Sequence, residues 1–403
     1  MNILFLSIVR FLDIEDRGIY TDLMRKFKTE GHNVFVVYPA ERRFEESTLL
    51  REKDNVIILS VKTLNIQKTN FIEKGIATIT LEWKFLKEIK RHFNHVKFDL
   101  VVYSTPPITF AKIIKYIKQK DSATSYLLLK DIFPQNAVDL SILKKKGLIY
   151  RYFRRKEVEL YKVSDFIGCM SPANVNYLIQ HNPQIDSKKV EVNPNSIEPR
   201  CIKLSPEEKK LIRSKYNITD DTTTFIYGGN LGKPQGVPFL IEVLKANRDQ
   251  KGVFFVVVGD GTEFIHLSRS LKSLDVTNVL LMKSLPKNEY DSLVASCDVG
   301  LIFLHAAFTI PNFPSRLLSY MEVELPVLAA TDSNTDIGTI MQDNNFGLWV
   351  KSGDIQGFNN NLAFYLNHKD KLTAMGKNGY NFMINNYQVS YSYQMIIDKL
   401  KNV

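Results

Sequence analysis

Short apolar runs alternate with longer amphipathic segments along the whole chain. In the first half, strands, some followed directly by loops, are predicted at 2–8, 32–39, 55–61, 99–107, 124–135, 166–172 and 190–197. Helices are predicted between them at 17–31, 73–94, 109–120 and 172–182. Short buried strands that alternate with helices indicate βαβ units and a parallel sheet.

The second half starts the same alternation again. A capping Ser205 and Pro206 open a charged helix, which indicates a linker near 196–205. Strands are then predicted at 222–232, 253–261, 278–286, 299–304 and 325–331. The pattern predicts an α/β fold with two Rossmann-like, doubly wound domains, 1–197 and 198–385. Residues 386–403 are expected to form a helix that packs back on the first domain.

Length, charge and cysteine content narrow the class of protein. A chain of 403 residues suits two domains, and it contains no apolar run long enough for a membrane span. Residues 1–13 resemble a first strand and not a signal peptide. Residues 1–197 carry 32 Lys and Arg against 22 Asp and Glu, whereas 198–403 carry 21 of each. The first half is therefore expected to meet an anionic surface or ligand. Three isolated cysteines, Cys169, Cys201 and Cys297, suit packing roles in a reducing cytoplasm.

A glycine-rich loop follows the predicted strand 222–228. In the sequence YGGNLGKPQG, residues 227–236, Gly229 allows the backbone to approach a ligand, and Lys233 adds a positive charge next to a helix start. This combination suits a diphosphate, although it matches neither the P-loop nor the dinucleotide motif. A plain glycine-rich turn is the alternative.

Two more segments of the second half are candidates for ligand binding, one at the end of a strand and one at the start of a helix. Residues 256–264 form a strand that stops at a glycine-rich turn, a pattern that many α/β proteins share. Residues 313–321 place Ser315 and Arg316 at the start of a helix. Ser315 is suited to cap the helix or to donate to a phosphate. Arg316 opposes the helix dipole, which favours a role in binding an anion.

The first half offers a carboxylate, a glycine and a basic segment. Asp131 follows a strand, where a catalytic or sugar-binding carboxylate is expected, with a turn role as the alternative. Gly18 lies in the loop after the first strand, where substrate could approach its backbone. Residues 143–162 combine lysines and arginines with Leu148, Ile149, Tyr152 and Phe153. As a helix, this segment could bind an anionic membrane or be a solvated helix whose aromatic residues face the core.

The ordered set of motifs resembles family-4 glycosyltransferases of the GT-B fold, similar to WbuB-like bacterial enzymes of O-antigen and capsule assembly. In those enzymes the two domains face a central cleft. The resemblance implies retaining, metal-independent transfer from a nucleotide-diphospho sugar, with no cofactor. It implies catalytic roles for Asp131, Lys233 and Arg316. The donor-binding positions that it implies are Gly18, Gly229, Asn230, Gln235, Gly259, Asp260, Gly261, Ser315 and Ser319.

The chain departs from the family at two positions. The family typically has two glutamates, one at the donor sugar and one at the ribose, and here Pro311 and Ser319 stand in their places. Glu322, one helical turn beyond Ser319, is expected to take over part of the ribose contact.

The expected function is transfer of a sugar, from UDP-sugar before GDP-sugar, to a lipid-diphosphate-linked glycan. The protein is expected in the cytoplasm, on the inner face of the membrane, with no nucleic-acid partner. A nucleotide-sugar epimerase on the same fold is one alternative. A degenerate, non-catalytic partner subunit is the other.

Overall fold

The computed structural model describes residues 1–66, 69, 71–200, 202–274 and 276–401. It divides the chain into two compact units, the first formed by Met1–Glu198 with Gln388–Val403 and the second by Pro199–Tyr387. Cys201 lies outside the described residues, and the free thiols Cys169 and Cys297 are buried.

The first unit is built on an eight-stranded sheet. In chain order its strands are β1 (Asn2–Leu6), β2 (Asn33–Glu41), β3 (Leu49–Lys53), β4 (Val56–Thr63), β5 (Leu100–Ser104), β6 (Thr124–Leu129), β7 (Phe166–Cys169) and β8 (Val190–Val192). Their order across the sheet is β3-β4-β2-β1-β5-β6-β7-β8. All neighbours are parallel except β3 and β4.

The antiparallel strand β3 is a departure from the predicted pattern. Its segment lacks the apolar run that marks the other strands, and both of its leucines are exposed. Asp54 and Asn55 link β3 to β4 with φ values of 50° and 63°. Two successive positive φ angles in Asx residues are typical of a tight hairpin turn.

Helices cover this sheet on both faces. They are α1 (Ile19–Thr29), α2 (Phe71–Phe93), α3 (Ala111–Asp121), α4 (Gln135–Asp139), α5 (Leu148–Val163), α6 (Pro172–His181) and α15 (Val389–Lys401). Helix α15 packs on α1, and both contribute to a core with alternate residues of β1, β2, β5 and β6. Helices α2 and α5 each pack against α3.

The second unit is built on a six-stranded parallel sheet. Its strands are β9 (Thr223–Gly228), β10 (Val253–Val258), β11 (Val279–Met282), β12 (Val299–Phe303), β13 (Val327–Thr331) and β14 (Gly347–Lys351), ordered β11-β10-β9-β12-β13-β14. Its helices are α7 (Pro206–Lys215), α8 (Val237–Ala246), α9 (Phe264–Leu274), α10 (Lys287–Ser296), α11 (Arg316–Glu322), α12 (Ile337–Asp343), α13 (Ile355–Asn367) and α14 (Lys369–Asn386).

Two features of this unit follow directly from the sequence. Helix α7 begins with a capping box, in which the Ser205 hydroxyl accepts from the Glu208 N–H and the Glu208 carboxylate accepts from the Ser205 N–H. Strand β9 and the Val- and Phe-rich strand β10 are almost wholly buried, as parallel strands between helical layers require. The expected α/β fold class, with two Rossmann-like domains, is confirmed.

Candidate functional site

The predicted donor-binding residues of the second unit, Glu322 excepted, lie at or near the carboxyl-terminal edge of its sheet. The loop 229–236 follows β9, the loop 259–263 follows β10, and residues 304–315 lead from β12 to α11. Strands β10, β9 and β12 are neighbours, so these three loops emerge side by side. Ligands of open parallel sheets bind at this edge.

The first two loops are packed directly on each other. Leu231 N donates to Asp260 O at 3.0 Å, and Glu263 N donates to Leu231 O at 2.9 Å. A Cβ atom on Gly259 would overlap the Gly229 carbonyl, and one on Gly261 would overlap the backbone of Leu231. Both glycines are therefore required by the contact between the two loops, whether or not a ligand is bound.

Side chains inside the first loop fix its shape. The Gln235 Oε1 atom accepts from Asn230 Nδ2 at 2.9 Å and from Gly232 N at 3.2 Å. Lys233 is exposed on this ordered loop. Burial lowers the pKa of His305, which lies on the loop 304–315, and the Lys233 ammonium lowers it further. The loop thus presents the Lys233 ammonium from a fixed backbone, and the hydrogen bonds that fix this backbone come from Asn230, Gly232 and Gln235.

Arg316 occupies a half-buried position beside tyrosines. Its guanidinium carbon lies 4.2 Å from the centroid of the Tyr227 ring. Among the described residues, its Nη1 atom has no hydrogen-bond partner although it is buried. Burial disfavours the charged form, but Tyr227 and Tyr320 leave the pKa of Arg316 raised, so the side chain stays a cation. A buried donor without a partner is costly, and an anionic ligand would supply that partner.

The two serines of this segment lie on either side of the Arg316 turn. Ser315 is exposed, and its side chain forms no capping hydrogen bond, so of its two predicted roles only donation to a ligand is left. Ser319 is half-buried one helical turn further along α11. Pro311, at the position of the family's other glutamate, is buried.

Comparison with known proteins identifies this arrangement. Residues 208–382, which include all three loops, match the family model "Glycosyl transferases group 1". The matched segment covers most of the second unit. The chain is 22% identical to the probable glycosyltransferase WbjE of Pseudomonas aeruginosa over 282 residues, covering 70% of this chain and 68% of WbjE.

Solved structures show the same fold along the whole chain. HepE of Anabaena in complex with UDP-glucose superposes with a TM-score of 0.73 at 16% identity, with both chains fully covered. WaaG, a glycosyltransferase involved in lipopolysaccharide biosynthesis, superposes with a TM-score of 0.68 at 16% identity over 98% of each chain.

The tyrosines around Arg316 were not identified from the sequence. The Tyr320 hydroxyl lies 3.1 Å from the carbonyl oxygens of both Ile226 and Leu301, which share its single proton, and it accepts from Gly228 N at 3.2 Å. It therefore links strands β9 and β12. A Cβ atom on Gly300 would overlap the Tyr320 ring. A glycine inside a strand was the available signal, because it marks close approach by another group.

The expectation that Glu322 contacts the ribose is wrong. Helix α11 runs from the carboxyl-terminal edge of the sheet towards the amino-terminal edge, and Glu322 is its last residue. The side chain is buried among residues that precede β12 and β13, including Asp298 and Pro326. Its Oε1 atom accepts from the backbone N–H of Arg200 at 2.8 Å. Glu322 thus fixes Arg200 within the linker segment, at the edge opposite the three loops.

Replacing Glu322 by alanine is expected to lower stability and to leave donor binding unchanged. The Arg200 N–H would lose a buried acceptor, which costs about 1–3 kcal/mol. Urea denaturation and the donor KM measure the two effects. A several-fold rise in donor KM at unchanged stability would contradict this placement and restore the ribose role.

In the first unit, Asp131 lies just beyond the carboxyl end of β6. Both of its carboxylate oxygens accept from Asn136 Nδ2, at 2.8 and 2.9 Å, and its backbone N–H donates to Thr105 Oγ1 at 3.1 Å. Burial raises the pKa of Asp131, and the Asn136 hydrogen bond opposes the rise. Gly18 precedes α1 at the same edge and donates its N–H to Asp22 Oδ1 at 3.3 Å.

Lys130, next to Asp131, was not singled out from the sequence as a site residue. Its Nζ atom donates to the Asn193 carbonyl at 3.1 Å. Burial lowers the pKa of Lys130 to about 7, with Cys169 as a minor opposing influence. A lysine directly before a candidate carboxylate, at the end of an apolar strand, was the available signal.

Replacing Lys130 by methionine is expected to raise the melting temperature more at pH 6 than at pH 10. Below pH 7 the folded protein must hold this lysine charged in a buried position, which opposes folding. Between pH 7 and about 10.5 the unfolded chain binds the proton and the folded chain does not, so stability rises with pH. Calorimetry at both pH values, with the exposed Lys115→Met as control, tests this. An equal gain at both pH values would contradict it.

The basic segment of the first unit combines features of both predicted roles. Tyr152 and Phe153 are half-buried, and the Phe153 ring lies 5.0 Å from that of Phe133. Leu148 and Ile149, at the start of α5, are exposed. The neighbouring exposed cations are Lys144, Lys145, Lys146, Arg151 and Arg155. The aromatic residues therefore pack inward, while the aliphatic pair and its cations face outward. No helix among the described residues combines the length and apolar content needed to cross a bilayer.

Proposed function

We propose that this protein transfers a sugar from a nucleotide-diphospho sugar, with UDP as the favoured nucleotide, to a lipid-diphosphate-linked glycan of a bacterial surface polysaccharide. The observation that carries the proposal is the half-buried Arg316 cation, whose buried Nη1 atom has no partner among the described residues. It lies in the segment that matches the glycosyltransferase group 1 family, beneath Gly229 of the loop that presents Lys233. The complex of HepE with UDP-glucose supports a nucleotide-sugar donor, and the name of WaaG supports the polysaccharide context.

The proposed role of the two cations follows from the charge that develops during transfer. Negative charge gathers on the diphosphate as its bond to the sugar breaks. Fixed cations aimed at that charge lower the barrier most when they are held in place beforehand. Arg316 is held by the tyrosines and Lys233 by an ordered loop, so both are preorganised. In this proposal no metal is needed and the sugar keeps its anomeric configuration.

We assign the acceptor to the first unit. There Asp131 is a half-buried carboxylate with a fixed orientation, suited to contact the reacting sugar or the acceptor hydroxyl. Gly18 offers a backbone approach at the same edge. The excess of positive charge in residues 1–197 suits a diphosphate-linked lipid and an anionic bilayer. The exposed Leu148 and Ile149 with their flanking lysines suit peripheral contact with the cytoplasmic face of the membrane.

The test is nucleotide release across UDP- and GDP-sugars, with a lipid-diphosphate monosaccharide as acceptor. We expect nucleotide release to depend on the acceptor and to be unaffected by a chelator. The anomeric configuration of the transferred sugar in the product is expected to be the same as in the donor. Nucleotide binding without transfer to any acceptor in the panel would instead support a non-catalytic subunit. Conversion of the donor to its epimer without acceptor would support an epimerase.

Membrane contact through α5 is tested by co-sedimentation with vesicles that contain phosphatidylglycerol. Binding is expected to weaken as salt rises from low to physiological concentration, because exposed charges are then screened. Binding that does not depend on salt would count against an electrostatic contribution.

A further inference from the structure

Helix α2 has two apolar faces, of which only one is buried. Ala77, Leu81, Phe85 and Ile89 point into the unit and are buried. On the opposite side Ile76, Ile79 and Trp83 are 48%, 56% and 63% exposed. Their spacing of three and four residues aligns them as a single stripe along the helix. A helix on the surface of a globular domain normally carries polar residues there.

Lysines continue this apolar stripe at the same helical spacing. Lys87 follows Trp83 by one turn, and its Nζ atom lies 5.6 Å from the centroid of the indole ring. Lys90 continues the same face and is exposed. The outward side of α2 thus has an apolar half with a tryptophan at its end, followed by a basic half.

The acidic residues of α2 are engaged by other groups. Glu82 is buried and accepts from Lys112 N at 2.6 Å. Glu88 lies within 3.9 Å of Arg91 and 3.4 Å of His92. Glu73, one turn before Ile76, accepts from Thr69 and Asn65 and pairs with Arg42 at 3.0 Å. From Ile76 to Lys90 the stripe therefore presents apolar and positive side chains.

We propose that the outward stripe of α2, formed by Ile76, Ile79, Trp83, Lys87 and Lys90, inserts into the surface of an anionic membrane. Charge selects this occupant, because lysines beside aliphatic residues and an indole match lipid acyl chains beneath anionic headgroups. The inference rests on the membrane contact proposed for α5 and adds a second contact to it. Helices α2 and α5 both pack on α3 in the first unit, so the two proposed contacts lie on neighbouring elements of that unit.

The two tryptophans of the chain allow a direct measurement. Trp349 lies in the second unit, where its Nε1 atom donates to Thr331 Oγ1. The variant Trp349→Phe leaves Trp83 as the only tryptophan. Its emission is expected to shift to shorter wavelength, and to be quenched by brominated acyl chains, in vesicles containing phosphatidylglycerol but not in pure phosphatidylcholine.

The outcomes separate this inference from the proposed function. Co-sedimentation with anionic vesicles without any change in Trp83 emission would overturn the role of α2 and leave the α5 contact standing. Failure to bind vesicles at all would overturn both membrane contacts, while transfer to a short-chain acceptor in detergent would still support the enzyme activity. A blue shift that grows with protein concentration without vesicles would indicate self-association and overturn the inference.

A matched pair of variants tests the same point without fluorescence. The double variant Ile76→Ser and Ile79→Ser is expected to weaken vesicle partitioning at least about tenfold, because two aliphatic side chains that would enter the bilayer are lost. Ile265→Ser, at an aliphatic residue 63% exposed on α9 of the second unit, is expected to leave partitioning unchanged. Circular dichroism and melting temperature confirm that all variants fold. Equal partitioning of the two variants would overturn the proposal.

Discussion

Replacing Arg316 by methionine is expected to reduce sugar transfer by about 10²–10³-fold, the usual effect of removing one preorganised group that stabilises transition-state charge. Donor affinity is expected to fall as well, because the diphosphate loses its half-buried cation. Stability is expected to hold or to rise, since the variant removes a buried donor that has no partner for Nη1 among the described residues. Steady-state kinetics and thermal unfolding measure these effects.

Arg213 provides the matched control for this prediction. Arg213 is buried in the second unit, and its Nε atom, like Nη1 of Arg316, has no hydrogen-bond partner among the described residues. Its other guanidinium nitrogens, however, donate to Asp298, Thr219 O and Thr222 O. Arg213→Met is therefore expected to lower the melting temperature and to leave donor affinity unchanged. Similar behaviour of the two variants, with both unstable and both binding donor normally, would contradict the ligand-binding role of Arg316.

Replacing Gly261 by alanine is expected to separate the two glycine-rich loops. The new Cβ would overlap the Leu231 backbone, and both hydrogen bonds of Leu231 to the second loop would be strained. Overpacking of this kind costs about 1–3 kcal/mol. The displaced loop also carries Lys233, so donor affinity is expected to fall together with stability. Isothermal titration with UDP and urea denaturation test the two effects.

Gly75 provides the contrasting substitution. It lies inside α2, where an added Cβ would meet no heavy atom within 4 Å. Gly75→Ala is therefore expected to raise stability by about 0.5–1 kcal/mol, the helix preference of alanine over glycine. If Gly261→Ala retained wild-type stability and UDP affinity, the close packing of the loops would not be needed for donor binding.

Most strands of the two sheets could be predicted because parallel strands are short, continuous apolar runs. Strands β3 and β14 were not predicted. Strand β3 has no apolar run, and its pairing with β4 depends on the Asp54–Asn55 turn. The position of Arg316 at a helix start was visible in the sequence. Its tyrosine surroundings were not, because Tyr227, Tyr290 and Tyr320 come from three separate elements.

Glu322 shows why periodicity alone misplaced a site residue. Spacing correctly relates residues around a helix but says nothing about which edge of the sheet a given turn reaches. Each residue advances a helix by about 1.5 Å. The seven residues of α11 therefore carry its last residue, Glu322, away from the edge that holds the loops. The contact with Arg200 is a long-range one that no local pattern could reveal.

The basic segment illustrates a similar limit. Its composition predicted either a membrane helix or a core helix, and the contact of Phe153 with Phe133 and the exposure of Leu148 combine the two. The exposed stripe of α2 was hidden in the sequence, because the helix is apolar on two sides and its periodicity alone does not show which side is buried.

Hydrogen exchange with and without UDP or GDP tests the central claim most directly. The account predicts slower amide exchange in residues 229–236, 259–263 and 315–319, with little change around Glu322 and Pro326 at the opposite edge. In the Arg316→Met variant, addition of nucleotide is expected to leave amide exchange in these three segments unchanged. Protection confined to the Glu322 edge, or unchanged by loss of Arg316, would contradict the assignment of the donor site.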